Sequence, residues 1–410
     1  NWDGNGSSFN EKKARSGGVS MIGKKIILVA GGTGGHVFPA ISLAERLKGM
    51  GHDILIITDL RGKRFEIEKN GVPVKYINVK NPSQKNVFLK VIAVFSLIKS
   101  TILSWKIIFD FSADVIVGFG GYPSLPPLVA SHWMRIPSIL HEQNAVLGRA
   151  NTWLMKRATF IAKSFENTAG LNDKKIASCL TGNPVRAEFL PSREILAPTL
   201  AANKEINLLI VGGSLGARFL SDAVPSAVAL LNKQLRERLV IKQQCRIEDI
   251  QHVTTVYKKA GIKFELKTFF HQMPELLQEA HLVISRSGAS TVAELAVVGR
   301  PAIFIPYPFA LDNHQQRNTI DMVKAGGAWC FEETNLKPEA LANVISKILT
   351  DENIYNTAII AARNCGVPDA VERLANLVLR AASRSSKART LSSAMLVNAL
   401  GLLLFCEAGG

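Results

Sequence analysis

Glu294 is the first residue in this chain whose type and place suggest chemistry. It stands one helical turn inside the segment 285–318, SRSGASTVAELAVVGRPAIFIPYPFALDNHQQRN. The pattern predicts a buried strand over 281–284, a turn at Gly288, a helix opening near Ser290 and Thr291 and stopping at Gly299, a second strand over 302–305, a Pro-rich loop, and another helix from about Asn313. Free N–H groups at the start of the first helix suit an anion. A carboxylate one turn in can accept two hydrogen bonds from a diol such as a ribose. Strand-turn-helix units with Gly and Ser are common, however, and the helix dipole alone favours a first-turn Glu. The segment gains meaning from the rest of the chain.

Residues 31–36 read GGTGGH directly after an apolar run. No GK[ST] follows and the glycines come in pairs, so this is neither a Walker loop nor a GxGxxG fingerprint. Residues without Cβ still let backbone amides approach a ligand closely, and the turn carries His36, a titratable imidazole, to a sheet edge. A second paired-glycine turn, Gly120 and Gly121, precedes Tyr122. The stretch HEQN brings Glu142, Gln143 and Asn144, whose amides suit sugar hydroxyls. GNPVR ends in Arg186, a fork matched to phosphate or carboxylate. A third glycine turn, GGSLGA, contains Ser214. Polar and glycine-rich loops at the ends of several strands of one sheet describe a cleft rather than unrelated turns. No DxD-like acidic pair stands at a strand end, which argues against an obligatory metal clamp, and no metal ligands are expected.

The elements that must position these groups alternate strand and helix. Strands are predicted over 24–30, 53–58, 74–79, 114–118 and 137–140, and again over 206–211, 239–242, 263–266, 281–284 and 302–305. The first helix is predicted to open at Pro39 and stop at Gly51. This alternation means an α/β protein with two Rossmann-like doubly wound domains facing each other across a cleft. The weakly patterned stretch after 189 separates them. The first domain is assigned 22–188 and the second 189–364. Residues 1–21 read as a polar leader and 383–410 as a tail of unassigned role.

With 410 residues, 47% of them hydrophobic, the chain can bury two ordinary cores; its net charge of +16 draws it to something anionic. Five scattered cysteines without a CxxC favour a reducing compartment. From 69 to 109 there are seven lysines, no acidic residue, and the run VFLKVIAVFSLIKSTILSWKIIF. Apolar residues interleaved with lysine fit a helix lying at an anionic membrane surface. A nucleic-acid partner is disfavoured: no binding motif accompanies the charge.

Taken in order, GGTGGHVFPA, GFGGYPS, HEQN, GNPVR, GGSLGA and SRSGASTVAEL with GRPAIFIPYP and DNHQQRN make residues 24–382 closely similar to the MurG family of bacterial N-acetylglucosaminyltransferases, in glycosyltransferase family 28. The resemblance implies the GT-B fold, with a last helix, 365–382, returning to the first domain. It implies transfer of GlcNAc from UDP-GlcNAc to the C4 hydroxyl of MurNAc in lipid I, with inversion, giving lipid II for peptidoglycan synthesis. It implies no cofactor, a peripheral position on the cytoplasmic face of the inner membrane, and other cell-wall synthesis proteins as partners. Carried onto this sequence, Glu294 would hold the ribose hydroxyls and Phe270 would help position the base. Ser214, Arg186 and the amides of Gly288, Ala289, Ser290, Thr291, Val292 and Ala293 would surround the nucleotide and diphosphate. Gln315 and Asn144 would read the GlcNAc hydroxyls. Thr33, Gly34 and Gly35 would form the sugar and acceptor side, with His36 and Tyr122 close to the chemistry. His36 is the expected base and Glu142 the alternative. Another UDP-sugar enzyme of this fold, such as a UDP-GlcNAc epimerase, is the competing expectation.

Overall fold

The computed structural model describes residues 23–79, 87–171, 173, 175–201, 204–213 and 217–384. Ser214, the leader, the tail from 385, Lys80, Lys85 and Cys406 lie outside the described residues.

The strands form two parallel sheets. The first holds β1 (Lys25–Ala30), β2 (Asp53–Thr58), β3 (Val74–Tyr76), β4 (Val115–Gly118), β5 (Ser138–Glu142), β6 (Phe160–Lys163) and β7 (Ser178–Leu180), ordered β3-β2-β1-β4-β5-β6-β7. The second holds β8 (Ile206–Val211), β9 (Leu239–Gln244), β10 (Lys263–Lys267), β11 (Leu282–Ser285), β12 (Ala302–Phe304) and β13 (Ala328–Cys330), ordered β10-β9-β8-β11-β12-β13. Each central strand is an unbroken apolar run because helices cover both faces of a parallel sheet. In β1, Ile27 pairs with Leu55 on one side and Ile116 on the other. The strand order reverses at β1/β4 and again at β8/β11, and a ligand crevice opens outside the carboxyl ends of strands at such a point. Both domains therefore aim their switch points at the same space.

The first helix, α1 (Gly34–Gly49), begins a turn and a half earlier than the sequence predicts. Thr33 is extended and caps it, its carbonyl accepting from the N–H groups of His36 and Val37 at 3.0 Å each. Pro39 then lies inside the helix, where it has no N–H to offer the Gly35 carbonyl. Strands β6, β7 and β13 have only three or four residues, too few for a period to stand out in the sequence.

The last described helix, Ala370–Ala382, buries Leu374, Leu377, Val378 and Ala381 with Ile26, Leu28, Val37 and Leu43 of the first domain. Arg46 of α1 pairs with Glu372 on it at 2.6 Å. Gly182, at φ +78°, leaves room where this segment crosses over; a Cβ there would meet Val367 at 2.8 Å.

Helix α2 (Val87–Phe111) packs on α3 (Leu125–Trp133) and buries Ala93, Ser100, Ser104 and Ile108. Its other face leaves Val94, Phe95, Ile98, Ile102 and Phe109 more than half exposed, beside exposed Lys99 and Lys106. By length and composition Ile92–Phe111, with mean hydropathy 1.7, is able to cross a membrane. Its buried polar face against the domain makes it a packed helix with one bare apolar side.

Candidate active site

The two switch points enclose a cleft of about 1930 Å³. That exceeds a site for one drug-sized ligand and leaves room for two substrates. Its first wall is the turn after β1. Gly31 N–H donates to the Gly120 carbonyl at 3.2 Å, which ties the first glycine turn to the second. The imidazole of His36 fills the space between them. A Cβ on Gly31 would stand 3.1 Å from its Nδ1, and one on Gly120 or Gly121 would stand 3.3–3.5 Å from the ring. Gly120 and Gly121 also adopt φ of +88° and +77°, which side chains rarely take. Thr33 Oγ1 lies 2.9 Å from His36 Nδ1 and fixes the ring. Burial, and then the Arg61 charge, lower the imidazole to about 4, with Asp59 opposing, so the ring is neutral at physiological pH.

Thr33, Gly34, Gly35 and Tyr122 line the same wall, as do Glu142 and Asn144. Glu142 is buried and spends both oxygens on its own loop. Oε2 accepts from Gly148 N and Asn151 Nδ2 at 2.8 Å each, and Oε1 accepts from Asn144 N at 3.1 Å and Asn144 Nδ2 at 3.4 Å. Burial pushes its carboxyl up while these bonds pull it down. A carboxylate so engaged organises the loop 142–151. His141 is a second interior residue of that motif: its ring nitrogens meet the Gly182 carbonyl at 3.1 Å and Gln143 Nε2 at 3.0 Å.

The opposite wall is the start of the helix Ala289–Val298. Gly288, Ala289, Ser290, Thr291 and Glu294 line the cleft, together with Gln315 and Phe270. Phe270 keeps its ring in the core, 6% exposed. Gln315 Oε1 accepts from Tyr307 N at 2.9 Å. Val292 and Ala293 are not among the lining residues. The Val292 amide already donates to the Gly288 carbonyl at 3.0 Å, so the free N–H groups of this helix end at Thr291. Ser290 Oγ is buried without a hydrogen-bond partner among the described residues.

Arg186 joins the walls. Its guanidinium lies 5.0 Å over Phe38 of α1 and 4.7 Å over Phe189, with Glu188 at 2.7 Å and Glu294 at 3.6 Å. Burial raises the Glu294 carboxyl to about 7, against the pull of Arg186. Two groups here carry no assignment in the sequence reading. Phe38 and Phe189 both place their rings against Arg186, and nothing in their spacing announces it. Asn318, fully buried, accepts from Ala145 N at 2.8 Å and donates to Asn144 Oδ1 and the Ser287 carbonyl at 3.1 Å each. It ends the DNHQQRN run, where the run of amide side chains was its one signal.

Residues 26–163 match the glycosyltransferase family 28 N-terminal domain, and residues 207–374 match the glycosyltransferase family 28 C-terminal domain. A relative from Zymomonas mobilis subsp. mobilis is 41% identical over 363 residues, 87% of this chain and 92% of its own length. One from Rhodospirillum centenum is 41% identical over 371 residues, covering 90% of this chain and 98% of the relative. Both are named UDP-N-acetylglucosamine–N-acetylmuramyl-(pentapeptide) pyrophosphoryl-undecaprenol N-acetylglucosamine transferase. The crystal structure of Acinetobacter baumannii MurG superposes with a TM-score of 0.70 at 28% identity, over 87% of this chain and 99% of that one. A UDP-GlcNAc 2-epimerase from Neisseria meningitidis shares the fold alone, with a TM-score of 0.64 at 14% identity over 87% of this chain and 99% of that one. With relatives this similar along nearly their whole length, and both halves matched in order, the chain belongs to the MurG family of glycosyltransferase family 28.

Proposed function

We propose that this chain transfers GlcNAc from UDP-GlcNAc to the C4 hydroxyl of the MurNAc sugar in lipid I, giving lipid II, in keeping with relatives named as N-acetylglucosamine transferases acting on an N-acetylmuramyl-(pentapeptide) pyrophosphoryl-undecaprenol. The observation that carries this reading is the opposition of a neutral His36 on one wall to Glu294, Arg186 and a helix N-terminus on the other. Domain 189–364 holds the donor. The Glu294 carboxylate accepts from the ribose hydroxyls, and the backbone at Phe270 borders the base. Arg186 and the N–H groups up to Thr291 face the diphosphate, with the unpartnered Ser290 hydroxyl beside them. Asn144 and Gln315 meet the GlcNAc hydroxyls.

Domain 22–188 presents the acceptor. His36 takes the proton of the C4 hydroxyl as its oxygen attacks the anomeric carbon of GlcNAc. The bond from that carbon to the diphosphate oxygen breaks, the configuration inverts, and UDP leaves with the electron pair. Charge growing on the leaving diphosphate meets Arg186 and the helix dipole, which are already in position. Tyr122 borders the reacting groups, and Glu142 holds Asn144 and the loop behind it.

The exposed apolar side of α2, with Lys99 and Lys106, sets the domain on an anionic membrane surface where a lipid-linked acceptor resides. This attachment is peripheral, at the cytoplasmic face of the inner membrane. The deciding assay incubates labelled UDP-GlcNAc with and without a lipid I analogue. Acceptor-dependent transfer of the label supports the reading. UDP release or epimerisation without acceptor moves the chain to another UDP-sugar chemistry on the same fold.

A further inference from the structure

We propose that Arg61 and Arg64 form a diphosphate clamp for the acceptor, separate from the donor diphosphate site. The proposal rests on the reaction assigned above. Both arginines stand on the 3-10 segment Leu60–Phe65, which follows β2 at the carboxyl edge of the first sheet. That segment presses on the turn that carries His36. A Cβ on Gly32 would fall 2.2 Å from Asp59 Oδ1, 2.6 Å from Arg61 Cβ and 2.8 Å from Gly62 N. No side chain fits there, so the Gly32 backbone packs directly on Asp59, Arg61 and Gly62 and the segment stays next to the catalytic turn.

Both guanidinium groups are held in place in advance. Asp59, 7% exposed, accepts from Arg61 N at 3.0 Å, from its Nε at 2.9 Å and from its Nη2 at 2.6 Å. The Arg61 side chain is 64% exposed. Arg64 donates from Nη2 to the Gly32 carbonyl at 3.3 Å, stacks 4.7 Å over Phe65 and lines the cleft. Phe65 meets Phe38 edge-on at 5.3 Å, and Phe38 carries Arg186 on its ring. The row from Arg64 through Phe65 and Phe38 to Arg186 thus spans from one wall to the other. Lys63 turns away over Tyr76, at 5.3 Å, and takes no part.

The chemistry calls for two anion sites. The donor diphosphate is covered by Arg186 and the helix Ala289–Val298. The acceptor carries its own diphosphate on the sugar carbon across the ring from the attacking hydroxyl. With that hydroxyl at His36, the second diphosphate falls one pyranose width away, and the segment packed on the His36 turn brings Arg64 to the cleft wall with Arg61 beside it. Asp59 takes the Nε and Nη2 edge of Arg61 and leaves its Nη1 side for phosphate oxygens, and guanidinium groups held in place beforehand suit such oxygens better than mobile ammonium groups do.

The test uses the full chain with R61Q, R64Q and the double variant, a short-chain water-soluble acceptor diphosphate, and UDP-GlcNAc. Each single change should raise the acceptor KM about tenfold or more. The donor KM should stay within about twofold, and R64K should recover part of the loss. An unchanged acceptor KM, or a donor KM rising in step, overturns the clamp. Inorganic pyrophosphate titrated into UDP-saturated protein gives a readout independent of turnover. Binding lost in the double variant supports the clamp, and binding retained overturns it, even if wild-type protein shows no acceptor-dependent transfer and the assigned reaction itself fails. Vesicles of phosphatidylglycerol distinguish a headgroup site: reduced vesicle binding with normal acceptor KM gives these arginines to the membrane and overturns the proposal.

Discussion

Asn318 Nδ2 donates to Asn144 Oδ1 at 3.1 Å, and this amide pair joins a helix of the second domain to the loop after β5 in the first. Asn318 is fully buried and has both ends engaged, with Ala145 N and the Ser287 carbonyl as its other partners. Removing it strands a buried N–H and a carbonyl, each a loss of roughly 1–3 kcal/mol. Asn144 is also held by Glu142, so it should lose its cross-cleft register without leaving the loop. Asn318→Ala should raise the donor KM about tenfold while UDP alone binds nearly as before, because the effect falls on the sugar. An equal loss of UDP and UDP-GlcNAc affinity would reduce Asn318 to a general packing residue.

Glu294 connects donor binding to pH. Its carboxyl sits near 7 instead of the usual 4.5, mainly through burial. It is therefore protonated in the free protein below neutrality and ionised above it. As an acceptor for ribose hydroxyls, the carboxylate should bind UDP-GlcNAc about tenfold more weakly at pH 6 than at pH 8, and Glu294→Gln should flatten that dependence in calorimetry. Stability runs the other way. A raised folded value contributes stability that is full below 4.5 and lost as pH climbs through 7, roughly 3 kcal/mol over the range. Glu294→Gln escapes that loss, so its melting temperature relative to wild type should rise from pH 5 to pH 8. A constant difference would mean that the group is not perturbed.

His36→Ala should separate chemistry from binding. A positioned base contributes about 10²–10⁴ in rate, so kcat should fall by that order while the donor KM changes little. The imidazole is lowered to about 4, so it is already unprotonated above that pH. The acid limb of kcat/KM assigned to it should therefore lie below pH 6 in the wild type and vanish in the variant. Comparable losses in kcat and donor affinity would make His36 a binding residue. Parallel profiles for Glu142→Gln would not rescue Glu142 as base, because its four hydrogen bonds make a folding loss the expected outcome there.

Both glycine-turn walls were legible because each follows an apolar strand, and the doubly wound architecture follows from that alternation. What stayed hidden has local physical causes. Pro39 looked like a helix start because its missing N–H is harmless there, yet Thr33 supplies an earlier cap. The free amides stop at Thr291, since the Gly288 carbonyl already claims Val292. Asn318 and the Phe38–Arg186–Phe189 stack depend on how two domains meet. No periodicity within one element encodes such contacts.

Helix α2 gives the last prediction. Phe95 is 67% exposed and Ile98 52%, on a helix whose opposite side is buried against α3 and the core. Inserting such side chains into a headgroup region contributes up to about 1.5–3 kcal/mol each, and neighbouring lysines add about 1 kcal/mol each at an anionic surface. Phe95→Glu with Ile98→Glu should cut binding to anionic vesicles at least tenfold, and higher salt should weaken what remains by screening Lys99 and Lys106. Transfer to a water-soluble acceptor should be unaffected, since neither residue lines the cleft. Vesicle binding that survives both charges would locate the membrane contact elsewhere on the chain, and a matching fall in soluble turnover would show that the bare face serves the fold rather than the lipid.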